Sequence, residues 1–187
     1  MSNKKNILII NGSASENSSN ERLIDNLLNL SEDYFNFTIF NQLKLLPHFD
    51  PFASSTKTPK IIIEFRNQIQ QADGIIICTP EYIFSVPSGL KNAIEWCVST
   101  TVFSDKPLGI ITASADGRKG HESLQLIMKT VMAVFTEETT LLIQGIRGKI
   151  TDKGIITDEK TKEDLYNFTR AFQLLVETTD FNTELKK

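Results

Sequence analysis

The feature that most constrains this chain is a set of four short apolar runs: "ILII" at 7–10, "GIIIC" at 74–78, "PLGIITA" at 107–113 and "TLLIQG" at 140–145. None alternates apolar with polar residues. Successive side chains of a strand point to opposite faces, so a strand with one face in water must alternate. A run that is apolar throughout belongs to a strand covered on both sides, as in a parallel sheet. A fifth run, "FNFTIF" at 35–40, does alternate and reads as an edge strand. Helical patterns at about 20–34, 58–71, 86–99, 120–135 and 160–178 separate the runs. This alternation predicts an α/β fold: a doubly wound, five-stranded parallel sheet with helices on both faces.

With 187 residues and 40% apolar composition, the chain has enough apolar material for one core. One domain is expected over 1–180, followed by a frayed tail at 181–187. The net charge of -3 comes without a basic block, which argues against nucleic acid or an anionic membrane as partner. The N-terminal "ILII" is too short for a signal segment and no apolar run approaches a membrane span, so a cytoplasmic location is expected. Cys78 and Cys97 sit in apolar stretches at a spacing that suits neither a metal knuckle nor a redox pair, and read as buried structural thiols. His48 and His121 are the only histidines, too few for a histidine metal site or a Ser-His-Asp triad, and no metal is expected.

Ser18 followed three residues later by Glu21 is a capping box that opens the first helix. In "SGLKNAIEWCVS", Leu90, Ala93, Ile94, Cys97 and Val98 form one helical stripe and predict a core face. Trp96 falls off that stripe, which leaves it on the surface or against a second subunit. With the apolar positions Leu124, Ile127, Met128, Val131 and Phe135 of the 120–135 helix, it points to a homodimer, with a tetramer left open. The segment 48–59, "HFDPFASSTKTP", reads as a long functional loop.

In an open parallel sheet, ligands bind beyond the carboxyl ends of the strands, where strand order reverses. Three loops follow strands there: "NGSASENSSN", "TPEYIFSVPSG" and "SADGRKGHES". The first offers backbone amides, a helix start, the hydroxyls of Ser13, Ser15, Ser18 and Ser19, and the Asn20 amide, which together suit a phosphate. It matches neither a P-loop nor G-x-G-x-x-G. A helix cap with solvent-facing hydroxyls explains the loop equally well, and the loop alone leaves both readings open.

"PEYIFSVPSGLKNAIEW" resembles the PEYN-x-S-x-P-G-x-LKNAIDW signature of the NADPH-dependent FMN reductase family, flavodoxin-like reductases of quinones, azo dyes and metal ions. "NGSASENSSN" is similar to that family's GS-x-R-x-x-S-x-N phosphate loop, and "LPHFDP" to its LP-aromatic-N/D element. The resemblance implies a flavodoxin-like sheet and FMN as cofactor. Ser13, Ser18 and Asn20 would then hold the FMN phosphate. Pro80, Glu81, Tyr82 and Ile83 would line the isoalloxazine ring, and Ser114 through Gly117, including Asp116, would approach its other edge. Here Ser15 replaces the family's loop arginine, Glu16 its lysine neighbour, Ile83 the asparagine of PEYN, and Ser88 the glycine after proline. FMN affinity is left open by these differences.

The implied activity is hydride transfer from NADPH or NADH through FMN to a small-molecule acceptor: a quinone, nitro compound, azo compound or metal ion. The flavin carries the chemistry, so no catalytic side chain is assigned. Glu81 is read as holding its loop or bonding across a dimer, and Arg118 and Lys119 as a solvated pair or a lure for the phosphates of NAD(P)H. Two alternatives accompany this expectation: a flavodoxin-like electron carrier, and a non-catalytic relative with weakened FMN binding. The sequence leaves the physiological acceptor, the choice of NADH or NADPH, and dimer against tetramer undecided.

Overall fold

Five parallel strands form a single sheet in the computed structural model, which describes residues 4–184, with side chains through 179. The strands are β1 (Lys5–Asn11), β2 (Phe35–Phe40), β3 (Gly74–Thr79), β4 (Leu108–Ser114) and β5 (Thr140–Gln144). Their order is β2-β1-β3-β4-β5, and every pairing is parallel. The alternating run, β2, lies at an edge with Thr38 and Ile39 exposed, whereas β3 is buried along its whole length.

Side chains of the inner strands divide between two cores. Leu8, Ile10, Ile75, Ile77, Leu108 and Ile110 face α3 (Lys60–Gln71), α4 (Ser88–Glu95) and α5 (Arg118–Thr130). Ile7, Ile9, Ile76, Cys78, Ile111 and Ala113 face α1 (Ser19–Ser31) and α6 (Glu159–Glu184). The apolar runs are therefore two period-2 patterns interleaved, one per core. On the second face, α6 approaches the sheet closely because β4 carries Gly109: a Cβ there would lie 2.7 Å from Phe168 Cζ. Since α1 packs on one face and α4 on the other, the chain leaves β1 and β3 in opposite directions. A crevice opens between their carboxyl ends.

Two expectations from periodicity are corrected. The helix expected over 86–99 stops at Glu95, and residues 96–99 form a turn. The stripe consequently ends early, and Val98 is 62% exposed instead of in the core. Trp96 is neither on the surface nor against a second subunit: it is 1% exposed. Its Nε1 donates to Pro47 O at 2.8 Å, and its ring meets Phe49 edge-on at 5.5 Å. The 47–58 segment folds over it, a long-range covering that helical spacing cannot reveal. That segment also contains a short helix, α2 (Pro51–Thr56), where a loop was expected. Its start is set by Pro51 at the first helical position and by Asp50, whose carboxylate accepts from Phe52 N at 2.8 Å and Ala53 N at 3.1 Å.

The helix expected at 120–135 ends at Thr130; Leu124 and Met128 are fully buried, while Ile127, Val131 and Phe135 pack partly buried on the same core. Both thiols are free and buried, and burial pushes Cys78 and Cys97 up to about 12. Helical backbone continues to Glu184; the remainder of the tail expected to fray, 185–187, lies outside the described residues. Among the described residues no helix is long and apolar enough to cross a membrane, and no cluster of three His, Cys, Asp or Glu could hold a metal ion.

Candidate functional site

At the carboxyl ends of β1, β3, β4 and β5, four loops enclose an open cleft of about 840 Å³. The β1 loop contributes its floor at the start of α1. Ser18 caps that helix with both halves of the capping box formed: Glu21 N donates to Ser18 Oγ at 3.1 Å, and Ser18 N to Glu21 Oε2 at 3.3 Å. Beyond the cap, the amides of Ser19 and Asn20 have no acceptor among the described residues, as expected for the first turn of a helix. Ser13 and Ser15 line the same floor, Ser15 N donating to Ser13 Oγ at 3.3 Å. The donors gathered here are neutral hydroxyls and amides at the positive end of a helix, a set suited to an oxyanion.

Asn20 also has a structural task. Its Nδ2 donates to Ala113 O at 3.1 Å, and its Oδ1 accepts from Cys78 Sγ at 3.5 Å, so the buried amide fastens the start of α1 over the ends of β3 and β4.

The wall opposite the serines is Pro80, Glu81 and Tyr82. Glu81 explains how this wall keeps its place: Oε2 accepts from Gly120 N at 2.7 Å and Oε1 from Gly117 N at 3.3 Å. Gly117 is the N-cap of α5 at φ +85, a left-handed conformation for which glycine is suited, and has no side chain to cap the helix. Glu81 therefore supplies the cap from another loop, binding the β3 and β4 loops together. The Ser114 hydroxyl adds a contact to Glu81 O at 3.5 Å.

Directly after this wall the chain reverses in a two-residue turn. Tyr82 N donates to Ser85 O and Ser85 N to Tyr82 O, both at 3.0 Å. Between them Ile83 and Phe84 have φ of +50 and +53, as in a type I′ turn. Ile83 is 95% exposed and Phe84 72%.

The cleft brings together Ser13, Ser15, Ser18, Ser19 and Asn20 with Pro80, Glu81, Tyr82 and Ser114. Ile83, Asp116 and Gly117 are outside its lining. Asp116 accepts from Gln144 Nε2 and pairs with Arg118 at 3.4 Å, and Lys119 pairs with Glu122 at 2.8 Å, so these charges engage their neighbours. His121 is turned into the protein, its Nδ1 2.9 Å from Thr112 Oγ1, and burial lowers its pKa.

Sequence reasoning missed the fourth wall. Gly145, Ile146, Arg147 and Gly148 line the cleft from the β5 loop, and Arg22 from α1. The available signal was "QGIRG" after the last apolar run, with a cation between two glycines at a strand's carboxyl end.

The model of the NADPH-dependent FMN reductase family matches residues 5–143. A 2-hydroxy-1,4-benzoquinone reductase of Burkholderia sp is 31% identical over 169 residues, which cover 87% of this chain and 91% of that protein. An NAD(P)H-dependent FMN reductase of Pseudomonas aeruginosa is 28% identical over 183 residues, covering 94% and 97%. Among solved structures, the flavoenzyme NAD(P)H:(acceptor) oxidoreductase of Paracoccus denitrificans superposes with a TM-score of 0.83 at 26% identity, covering 94% of this chain and 98% of that one.

Proposed function

The chain belongs to the NADPH-dependent FMN reductase family, and from that premise we propose how its cleft divides the work of an NAD(P)H-dependent flavin oxidoreductase and which acceptor it serves. The donor chemistry of the cleft fits FMN. Neutral hydroxyls and unpaired helix-start amides suit the phosphate, and a volume of about 840 Å³ suits a cofactor of this size. When bound, FMN supplies the relay that takes a hydride from NAD(P)H and passes electrons to the acceptor.

The residues of this chain bind and orient. Ser13, Ser15, Ser18 and Ser19, with the backbone of Asn20, hold the phosphate end. Pro80, Glu81 and Tyr82 form the rigid wall along the ring, and Ser114 borders its other edge. Asp116 and Gly117 act as scaffolding, Gly117 by donating its amide to Glu81. Because both Glu81 oxygens accept backbone amides, the carboxylate serves to fix the loop. Ile83 lies outside the lining and is exposed, open to a second subunit.

We propose a quinone as the acceptor, supported by the relative that reduces 2-hydroxy-1,4-benzoquinone. One flavin-binding unit over 1–180, a cytoplasmic location and a homodimer complete the reading. Trp96 and the apolar positions of the 120–135 segment, from which the sequence points to a dimer, are absorbed into the chain's own core. The exposed Ile83 and Phe84 beside the cleft now support it.

The observation that carries this reading is the unpaired helix start of the serine loop facing the braced Pro80–Tyr82 wall across one cleft. A visible spectrum of the protein after incubation with FMN and desalting tests it. Retained flavin absorbance that bleaches on anaerobic NADPH addition and returns with a benzoquinone is expected; no retained flavin would sink the reading.

A further inference from the structure

A phosphate monoester near neutral pH carries close to two negative charges, yet the loop from Gly12 to Asn20 contains no cation and adds the carboxylate of Glu16. Hydroxyls and amides orient such a group, but a charged partner strengthens each contact about twofold. The cations lining the cleft are Arg22 and Arg147. Arg22 already pairs with Asp152 at 3.2 Å. Arg147 is exposed in the cleft and has no acidic partner among the described residues.

The fold brings Arg147 beside the serine loop. Asn20 reaches Ala113 O, Ala113 is in register with Ile143, and Gly145 N donates to Ala115 O at 3.1 Å. The neighbouring Ile146 is buried in the same core as Leu23 and Ile24 of α1, which anchors the 146–148 turn against the first turns of that helix. Further along, Asn26 Nδ2 donates to Gly154 O at 2.7 Å, holding the rest of the loop on α1.

We infer that Arg147 is the charged clamp for the 5′-phosphate of FMN, supplied by the β5 loop in place of a cation in the β1 loop. The inference rests on the flavin reading above. A guanidinium presents paired donors to phosphate oxygens, and it acts here from a wall packed on the same helix that the serine loop opens. Arg147 would thus discriminate FMN from riboflavin, which has the same ring without the phosphate.

The test measures quenching of flavin fluorescence on titrating wild type, Arg147→Gln, Arg147→Lys and Lys153→Gln with FMN and with riboflavin. Lys153→Gln removes the same charge from the same loop outside the lining. For Arg147→Gln, FMN affinity is expected to fall about tenfold with riboflavin affinity unchanged. Arg147→Lys should recover part of the loss, and Lys153→Gln should match wild type. An unchanged FMN-to-riboflavin ratio in Arg147→Gln overturns the inference while leaving the flavin site intact, as does an equal loss in Lys153→Gln. If Arg147→Gln instead changes only the KM ratio of NADPH to NADH, the guanidinium serves the 2′-phosphate and the inference is wrong. If wild type binds neither flavin, the reading of the cleft itself fails and takes the inference with it.

Discussion

Glu81 shows how one side chain can matter to a flavin site without taking part in chemistry. Its carboxylate supplies the cap that Gly117 cannot, and it ties the ring wall to α5. In Glu81→Gln one oxygen is replaced by an NH2 that cannot accept, so one amide loses its partner and the helix start loses a negative charge. Urea unfolding should register a loss of about 1–2 kcal/mol, and FMN affinity should fall as the wall loosens. Unchanged stability and affinity would remove the bracing role. His121 works through burial against Thr112 Oγ1. Its folded pKa lies below the ordinary 6.5, chiefly because burial disfavours the charged ring, an effect only partly offset by Glu122. The unfolded chain therefore takes up the proton first, and the stability His121 contributes is present above the ordinary imidazole range and declines as pH falls through it. Melting wild type and His121→Asn at pH 7.5 and 5.5 should show a larger drop for wild type. Equal drops would assign the pH dependence to other groups.

Among the elements, the Tyr82–Ser85 turn most clearly sets local preference against assembly. A β-branched residue at positive φ is disfavoured, and type I′ turns favour Asn or Gly at both centres. Ile83 and Phe84 occupy them here. Substituting Ile83→Asn should stabilise the fold by about 1 kcal/mol, measured by urea unfolding at sub-micromolar protein, where association contributes least. The same change should weaken the homodimer, read by light scattering after size exclusion. A monomeric wild type at micromolar concentration, or an Asn variant that dimerises equally well, would leave the apolar turn without that role. This turn was hard to read in the sequence, since "YIFS" carries none of the Asn-Gly chemistry that announces a hairpin. Elements whose signals are local were legible: Ser18 and Glu21 fixed the start of α1, and the four apolar runs and the alternating one all became strands. Trp96 was misread because the 47–58 segment that covers it is distant in sequence. Arg147 was missed because a short cationic turn after an edge strand acquires meaning only when the sheet sets it beside α1.

Across the whole molecule, the cleft depends on the helix–sheet–helix packing beneath it, since the four loops keep their spacing only while the strands keep theirs. One tight point of that packing is on the α6 face. Gly109 and Gly74 are the inner-strand residues without side chains, and Phe168 and Phe172 of α6 stack over them with ring planes 2° apart. A Cβ at 109 would approach Phe168 to 2.7 Å, closer than real contacts allow, and one at 74 would meet Phe172 at 3.0 Å. Phe168 and Phe172 are 2% and 0% exposed, so neither ring can swing into solvent without uncovering the core. Gly109→Ala should therefore destabilise the protein by about 1–3 kcal/mol through overpacking. Phe168→Leu alone should cost about 1 kcal/mol or more through lost contacts. Combined, the shorter leucine leaves room for the added methyl, and the double variant should lose less stability than the two single losses together. A coupling of at least about 0.5 kcal/mol, larger than the scatter expected for independent sites, is the expected result of urea unfolding on all four proteins. Strict additivity would mean that the sheet, and not α6, yields when Gly109 is filled.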